Sequence, residues 1–483
     1  MALFGFQLCY TLIIASFLQK IVPLYSFGKW LICNGSLVRY LHPTDEELRK
    51  LSKKPAQADK SNKARHRKNR NSGDSNETKT FKIPKNLEIV LDTETVQPLD
   101  CIVLRNFSDY EWLVNYTLCV LLVYVGTEIY YEMWSPVSDF NISLVWISLA
   151  IGFAVKDMLS ILWLYAKAQA GGELSMSIAF GMFSFVIALG ILMVDEELIE
   201  FGLSNESLGL NMGSKGSLRS IKLILAAFSA FYGIILAFPA FRMAQMYLDA
   251  LKFSTSNVIL NTILHINFCA PFIASVLWIK PISRDFLTIE NNVTGTLTGP
   301  FITDSQYDLA RILLVISICM LRLALFRTHL QAYLNKAYHK LLELRKEAGY
   351  TTNVELQRSV AQIFYYLGVV SMQYLSPLVI LLSLALVLKT SGGYSWLDLC
   401  QTNATAVELQ SLSNDTVEES SGLDYSSTVS EMVSSIDVSL HSWQKVFTPS
   451  LFRGIFSYAV WWSTFNWFLA SCLGILYHSY LSS

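Results

Sequence analysis

The side chains in this 483-residue chain that could do chemistry are polar and charged residues inside apolar stretches. Seven of them form the candidate intramembrane site: His265, Asn267, Gln373, Glu128, Lys156, Asp157 and Arg322. A charge at the centre of a bilayer costs roughly 2.5–3.5 kcal/mol on insertion scales, so each charge requires a partner, an interface or a wet cavity. Both a buried structural ion pair and a functional path for an ion or substrate fit this pattern.

Two prolines follow two of these residues at a fixed spacing of four. Pro271 removes the backbone hydrogen bond to the carbonyl of Asn267, and Pro377 does the same to Gln373, so a helix kink is predicted at each proline. Paired, proline-interrupted spans with polar groups at mid-depth are typical of transporter sites. Prolines that only shape packing, with amides that hydrogen-bond across helices, are the commoner alternative.

The elements that position these side chains are apolar runs long enough to cross a bilayer as helices. The composition, 52% hydrophobic and 16% charged, excludes an ordinary soluble chain. The runs cover roughly residues 3–19, 112–132, 142–165, 174–194, 221–241, 258–279, 309–327, 360–388 and 454–477. They predict an all-α polytopic membrane protein, a bundle of about eight or nine transmembrane helices, with eight if the first helix only dips into the membrane.

Charge sorting predicts the orientation of the chain. Lys and Arg crowd residues 28–111 and 327–359, whereas none lies between Lys389 and Lys445. Positive loops stay cytosolic. The sequons at Asn403 and Asn414 also predict a glycosylated lumenal or extracellular loop, and counting spans places Asn292 and Asn205 on the same side. The sequence does not choose between the endomembrane system and the plasma membrane.

This count divides the chain into seven regions. In order, they are an N-terminal hydrophobic helix (1–27), a cytosolic basic region (28–111) with a disordered linker (52–82), transmembrane helices (112–279), a lumenal loop (280–308), two spans (309–388) joined by a cytosolic amphipathic helix (328–349), an acidic lumenal loop (389–451), and a last span with a short cytosolic tail (452–483).

The first helix has two interpretations. It lacks a basic residue ahead of its apolar stretch and an A-x-A cleavage pattern, which favours a retained anchor over a signal peptide. Cleavage would invert every later span and expose Asn34 to glycosylation.

The connection between the seventh and eighth spans has helical periodicity. Residues 328–349 have an apolar face and a basic face, as in a helix that lies on an anionic membrane surface. Thr352 and Glu355 then form a capping box that begins a new helix, expected to run to about Leu388 and to bend at Pro377. The basic linker 52–82 is a second candidate for anionic lipid, and no nucleic-acid partner is predicted.

Enzyme signatures are not found in the sequence. It contains no G-x-G-x-x-G, Walker, G-x-S-x-G or H-E-x-x-H motif, and its eight cysteines form no C-x-x-C. No catalytic residue, cofactor or metal site is therefore predicted.

Long, unusual segments of the chain resemble the transmembrane protein 161 family. They include LAFPAFRMAQMYLDAL, LRLALFRTHLQAYL, VELQRSVAQIFYYLGVVSMQYLSPLVILL and FTPSLFRGIFSYAVWW, in order along the chain. The resemblance implies a polytopic membrane protein involved in membrane excitability, which restrains potassium and calcium currents, and in resistance to oxidative stress. It implies no catalytic residues.

Three functional hypotheses follow. The first is a non-enzymatic regulator of ion homeostasis that contacts a channel or pump through the kinked sixth and eighth spans and the basic helix 328–349. The second is a channel or transporter with the seven polar residues along its path. The third is a membrane protein that protects against oxidative stress and stress-induced DNA damage or apoptosis.

Overall fold

The computed structural model describes residues 5–42, 44, 91–134, 141–167, 171–203, 215–254, 257–287, 303–346, 352–396 and 449–481. The predicted linker 52–82, most of the predicted acidic loop 389–451 and the sequons at Asn205, Asn292, Asn403 and Asn414 lie outside these residues. Asn34 is described and is exposed just after a short helix.

The described chain is helical apart from one small pair of strands. Strands β1 (Val38–Tyr40) and β2 (Thr93–Thr95) are antiparallel. The helices are α1 (Phe6–Ile21), α2 (Phe27–Cys33), α3 (Phe107–Trp134), α4 (Ser143–Lys167), α5 (Gly171–Met193), α6 (Lys215–Phe253), α7 (Val258–Val276), α8 (Arg284–Leu287), α9 (Asp304–Ala324), α10 (Phe326–Leu334), α11 (Lys336–Lys346), α12 (Asn353–Tyr365), α13 (Leu367–Ser391) and α14 (Pro449–Leu476).

Eight helical stretches in the described residues are long and apolar enough to cross a membrane. This confirms the predicted all-α polytopic bundle. The first helix, α1, has only 16 residues and is not among the eight, which favours the eight-span alternative. It packs against α3, where the Gln7 side chain donates a hydrogen bond to the Tyr131 hydroxyl at 2.9 Å.

The described chain forms two compact units. The first contains Met1–Leu24, Trp112–Phe326 and Met372–Ser483, and it includes most of the spanning helices. Within it, α13 supplies a run of buried residues from Leu378 to Leu388 to the main apolar core. In the spanning stretch that contains α13, 94% of the most apolar window is buried, against 33–56% in the other seven. A helix that is apolar all round is expected in such a core position.

That burial corrects one prediction. The eighth span was expected to offer a contact surface, but α13 has almost no outward face. The expected helix from Asn353 is also interrupted at Tyr366, whereas α13 continues as a helix through Pro377 to Ser391. The predicted start is confirmed on one side of the capping box, because the Thr352 hydroxyl accepts a hydrogen bond from the Glu355 amide at 3.3 Å.

The second unit contains Tyr25–Glu111 and Arg327–Ser371. Its amphipathic segment is two helices, α10 and α11, rather than the single helix 328–349 that was predicted. The apolar face of α11 packs against α12 and Leu91 through Ala337 and Leu341, which meet Leu356 and Val360. The prediction that this face rests on lipid is therefore wrong for these residues. Two amphipathic helices can bury their apolar faces against each other without a membrane.

Candidate functional site

The charged residues near the start of α9 form the most concentrated polar site in the described part of the first unit. Thr303 and Gln306 cap α9 reciprocally, since each side chain bonds to the backbone amide of the other. This fixes the first turns of the helix and places Asp304, Asp308 and Arg311 close together. Residues three and four apart share one helix face.

The segment after α5 is held beside the segment after α7 by backbone hydrogen bonds. The amide of Glu200 donates to the carbonyl of Trp278 at 3.1 Å, and the amide of Lys280 donates to the carbonyl of Leu198 at 3.0 Å. Glu200 is thereby fixed near Arg284, which follows on α8.

These residues form a network that we call the arginine–carboxylate cluster: Glu200, Arg284, Asp304, Asp308, Arg311 and Arg453. Arg284 pairs with Glu200, with Asp304 at 3.0 Å and with Asp308 at 3.7 Å. Arg311 pairs with Asp308, and Arg453 reaches the other oxygen of Asp308 at 3.1 Å. Three guanidinium groups thus balance three carboxylates, which offsets the desolvation of each charge.

Electrostatics in the cluster favour charged arginine. Burial lowers the pKa of Arg284, but its hydrogen bond to Glu200 and the charges of Asp308, Glu200 and Asp304 outweigh this effect, so the net pKa is raised. Nearby, burial and the Asp308 charge raise the pKa of Tyr394 to about 12. The Tyr394 hydroxyl consequently stays protonated and donates to Asp308 at 3.2 Å.

A cavity of about 240 Å³ opens beside the cluster and is lined by Glu200, Asp308, Arg311, Arg453 and Trp278, among others. The Arg311 guanidinium lies 5.1 Å from the centre of the Trp278 ring. The lining offers both charge signs and aromatic faces, which suits a small polar or zwitterionic group. In the described part of the chain, no group of three or more His, Cys, Asp or Glu side chains could hold a metal ion.

Arg322 lies about three turns beyond Arg311 on α9 and has a different environment. Its guanidinium carbon is 3.8 Å from the centre of the Trp467 ring, and the Tyr374 hydroxyl donates to its backbone carbonyl at 2.7 Å. Its Nε and Nη1 atoms are buried without a hydrogen-bond partner among the described residues. The aromatic face is thus the main compensation that the described structure provides for this charge.

Glu128 has the partner that its depth required. Its carboxylate pairs with Lys389 and accepts a hydrogen bond from the Trp396 indole at 3.2 Å. The side chains of Glu128 and Lys389 are both largely buried. This arrangement matches the structural ion-pair alternative of the sequence analysis.

His265 and Asn267 differ in exposure although both lie on α7. Asn267 is buried, and its Oδ1 has no hydrogen-bond partner among the described residues. His265 is exposed and contacts the Tyr247 hydroxyl at 2.7 Å through Nδ1. Gln373 is buried on α13 and lines a separate cavity of about 50 Å³ with Arg242 and Gln245.

Lys156 and Asp157 also differ in exposure. The Asp157 side chain is buried, while that of its neighbour Lys156 is 66% exposed and lies 3.7 Å away. Neither lines either of the two cavities described above. The seven predicted polar residues therefore occur in several local environments.

Sequence reasoning missed most of the arginine–carboxylate cluster. It did not single out Glu200, Arg284, Asp304, Asp308 or Arg453, and the partner that the cost of a buried charge requires for Arg311 is Asp308. The Asp308–Arg311 spacing of three on a capped helix start was the available signal. The other members come from distant segments, so local spacing could not reveal them.

Comparison with known proteins places the whole chain in one group. A family model described as predicted transmembrane protein 161AB matches residues 2–482. No solved structure matches the chain.

Proposed function

Because the chain belongs to the transmembrane protein 161 family, we propose that it regulates ion homeostasis and membrane excitability as a non-enzymatic partner of a channel or pump. In this proposal it restrains potassium and calcium currents, as the family resemblance implies, without itself providing the pore. One observation supports the proposal that the protein itself does not conduct ions: its polar side chains are separated into several local sites.

A conducting path needs polar groups that follow one another across the bilayer. Here, Glu128 is neutralised by Lys389, Arg322 lies on Trp467, and Gln373 belongs to a small separate cavity. The spanning stretch that contains α13 is also the most buried, and its most apolar window is closely packed. This arrangement is better suited to a solid bundle than to an open channel.

The outer face of α7 is the best candidate for the contact with a partner. His265 is exposed near the middle of this helix and is bonded to Tyr247, and Ile266, Phe272 and Ile273 are exposed near it. Polar side chains in spans usually face protein or water because lipid does not hydrogen-bond to them. A partner helix packed on α7 would provide that protein environment.

The first test is current across a planar bilayer that contains only the purified protein, under potassium and calcium gradients. We expect no conductance, while cells that lack the protein show enlarged currents that the wild-type chain restores to normal. A conductance that is lost in Arg322→Ala or His265→Ala would contradict the proposal and favour a channel or transporter.

The second test addresses the contact face. We expect His265→Ala to weaken the restoration of cellular currents while the protein still reaches the membrane. The matched control is Val186→Ala, since Val186 is an exposed residue, 65% accessible, on α5. Equal restoration by both variants would exclude α7 as the contact surface.

The rival function, a channel or transporter, is favoured by one observation. The cavity of about 240 Å³ beside the arginine–carboxylate cluster is polar and is the larger of the two cavities described above. Saturable uptake of a small zwitterionic or ionic solute into vesicles that contain the pure protein, abolished by Arg453→Gln, would support this rival.

A further inference from the structure

Two cysteines from distant parts of the sequence meet in the second unit. Cys33 ends α2, and Cys101 lies in a 3₁₀ turn, Asp100–Val103, just before α3. Their sulfur atoms are 3.1 Å apart although 68 residues separate them in the chain. We propose that Cys33 and Cys101 are a reversible redox pair, which a hydroperoxide oxidises to a disulfide and a cellular dithiol reduces again.

The surrounding backbone holds the pair in place. Strands β1 and β2 bring the two segments together, and Arg39 on β1 bonds to Glu94 at 2.8 Å and to Asp100 at 3.1 Å. The Tyr110 hydroxyl donates to the Gly28 carbonyl at 3.2 Å, which ties α2 to the start of α3. A disulfide has a sulfur separation of about 2.05 Å, so the two sulfur atoms must approach by about 1 Å when the bond forms.

The two thiols have different roles because their environments differ. Cys101 is buried, whereas Cys33 is partly exposed. The hydrogen bond between the two sulfur atoms lowers the pKa of Cys33, and the same bond together with burial raises the pKa of Cys101. The thiolate is the nucleophile in this chemistry, so Cys33 attacks first and Cys101 resolves.

The chemistry balances in two steps. The Cys33 thiolate attacks one oxygen of hydrogen peroxide, the O–O bond breaks, and the products are a sulfenic acid on Cys33 and, after proton uptake, one water. The Cys101 sulfur then attacks the Cys33 sulfur, the S–O bond breaks, and a second water leaves with the proton of Cys101. The two thiols are oxidised by two electrons in total, and the peroxide is reduced.

The place of the pair in the chain supports a regulatory role. The other described cysteines, Cys9, Cys119, Cys269, Cys319 and Cys472, lie on apolar helices of the first unit. Charge sorting predicts that the segments around Cys33 and Cys101 face the cytosol, where disulfides are usually transient. The inference rests on the sulfur geometry and is independent of the proposed ion-regulating function.

Mass spectrometry of the full-length protein in isolated membranes tests the pair. Trypsin releases Cys33 in the peptide 30–39 and Cys101 in the peptide 86–105, so a disulfide links two identifiable peptides. Membranes are treated with hydrogen peroxide, free thiols are blocked with N-ethylmaleimide, and the digest is analysed without reduction. We expect a linked species that is two hydrogen atoms lighter than the two reduced peptides together, and that disappears after thioredoxin treatment of the native membranes.

Two single variants test the order of the steps. In Cys101→Ser, the sulfenic acid on Cys33 should persist and be trapped by dimedone. In Cys33→Ser, Cys101 should remain a free thiol after the same peroxide treatment. Cys472→Ser, on α14, is the matched control and should form the linked peptide as the wild type does.

Three outcomes would overturn the proposal. The first is separate alkylation of Cys33 and Cys101 in the wild type after peroxide. The second is a linked peptide that is already complete before peroxide and resists thioredoxin, since this would be a permanent structural disulfide. The third is dimedone labelling of Cys101 in Cys33→Ser, which would show that Cys33 is not the first thiol to react.

Discussion

Arg311 and Arg322 lie on the same helix, and both are buried, with 6% and 3% of their surface exposed. Both guanidinium groups lie over an indole ring, that of Trp278 for Arg311 and that of Trp467 for Arg322, but their charged neighbours differ. Arg311 pairs with Asp308 and lies 3.9 Å from Glu200, whereas Arg322 stacks on Trp467 without an ion-pair partner in the described residues. The two arginines are eleven positions apart on α9, about 16 Å at 1.5 Å per residue, and their buried charges are compensated in different ways.

The difference shows that burial alone does not determine how much a charged side chain contributes to the stability of the fold. A guanidinium among carboxylates holds neighbouring segments together, and its removal leaves the arginine–carboxylate cluster with one cation fewer than its three carboxylates require. A guanidinium on an indole face gains about 2 kcal/mol or more when desolvated, which offsets only part of its burial. Arg311 is therefore expected to contribute more to the stability of the folded protein than Arg322 does.

The largest effect is expected from Arg311→Met. This change leaves Asp308 and Glu200 with fewer cations in a buried site, so the free energy of unfolding should fall by about 3–5 kcal/mol. Thermal unfolding of the purified protein in detergent measures this effect. Arg322→Met is the matched control, and equal losses in the two variants would remove the contrast.

Lys389→Met tests whether the loss of a cation from a second buried carboxylate also lowers the free energy of unfolding strongly. Glu128 would keep its hydrogen bond from Trp396 but lose its only cation among the described residues, so we expect a loss of about 2–3 kcal/mol. Glu128→Gln combined with Lys389→Met should recover part of that loss. A double variant that is less stable than Lys389→Met would show that the Glu128 carboxylate has another role.

A double-mutant cycle of Arg311 and Asp308 measures their ion pair more directly than a single variant does. In a cycle of Arg311→Met, Asp308→Asn and the double variant, we expect an interaction free energy of about 1–3 kcal/mol, since the two side chains are in contact. The same cycle with Arg322→Met and Asp308→Asn should be additive. Coupling of equal size in both cycles would mean that the two arginines share one network.

Arg453→Gln probes the edge of the cluster. Its side chain is 46% exposed, so its pair with Asp308 is screened by solvent, and the variant should lose less than about 1 kcal/mol. A loss as large as that of Arg311→Met would indicate that membrane or protein covers Arg453 in its native setting.

The smallest effect is expected from Arg322→Met itself. Loss of the contact with Trp467 and relief of an expensive buried charge should nearly cancel, and stability should stay within about 1 kcal/mol of the wild type. Thermal unfolding in detergent, followed by circular dichroism, compares the stability of Arg322→Met with that of the wild type. A strong destabilisation would show that Arg322 has a polar partner beyond the described residues.

The architecture was largely predictable from sequence because lipid permits so few backbone solutions. Runs of about 20 apolar residues had to be helices, and eight helical stretches in the described part of the chain meet that criterion. Partners across the bundle were not predictable, since Glu128 and Lys389 are 261 residues apart. The apolar face at Ala337 and Leu341 was misassigned to lipid because its partner, α12, has the same amphipathic pattern.

The polar candidate site shows the same limit. The need for a partner at Glu128 followed from the free-energy cost of a charge in lipid, and the structure provides that partner in Lys389. The grouping of the seven residues did not follow, because helical phase relative to distant helices decides exposure. His265 and Asn267 are only two residues apart and differ completely in burial.

The position of α13 in the chain has a consequence for biogenesis. Among the spanning stretches of the described residues, the one that contains the core helix of the first unit is the seventh in sequence order, so the ribosome makes it after six others. Until α13 is synthesised and inserted, the earlier helices lie in the bilayer without the surface that completes their packing. Final folding is therefore a late event, and truncated chains that end before Leu367 should remain bound by quality-control factors even though their own spans are inserted.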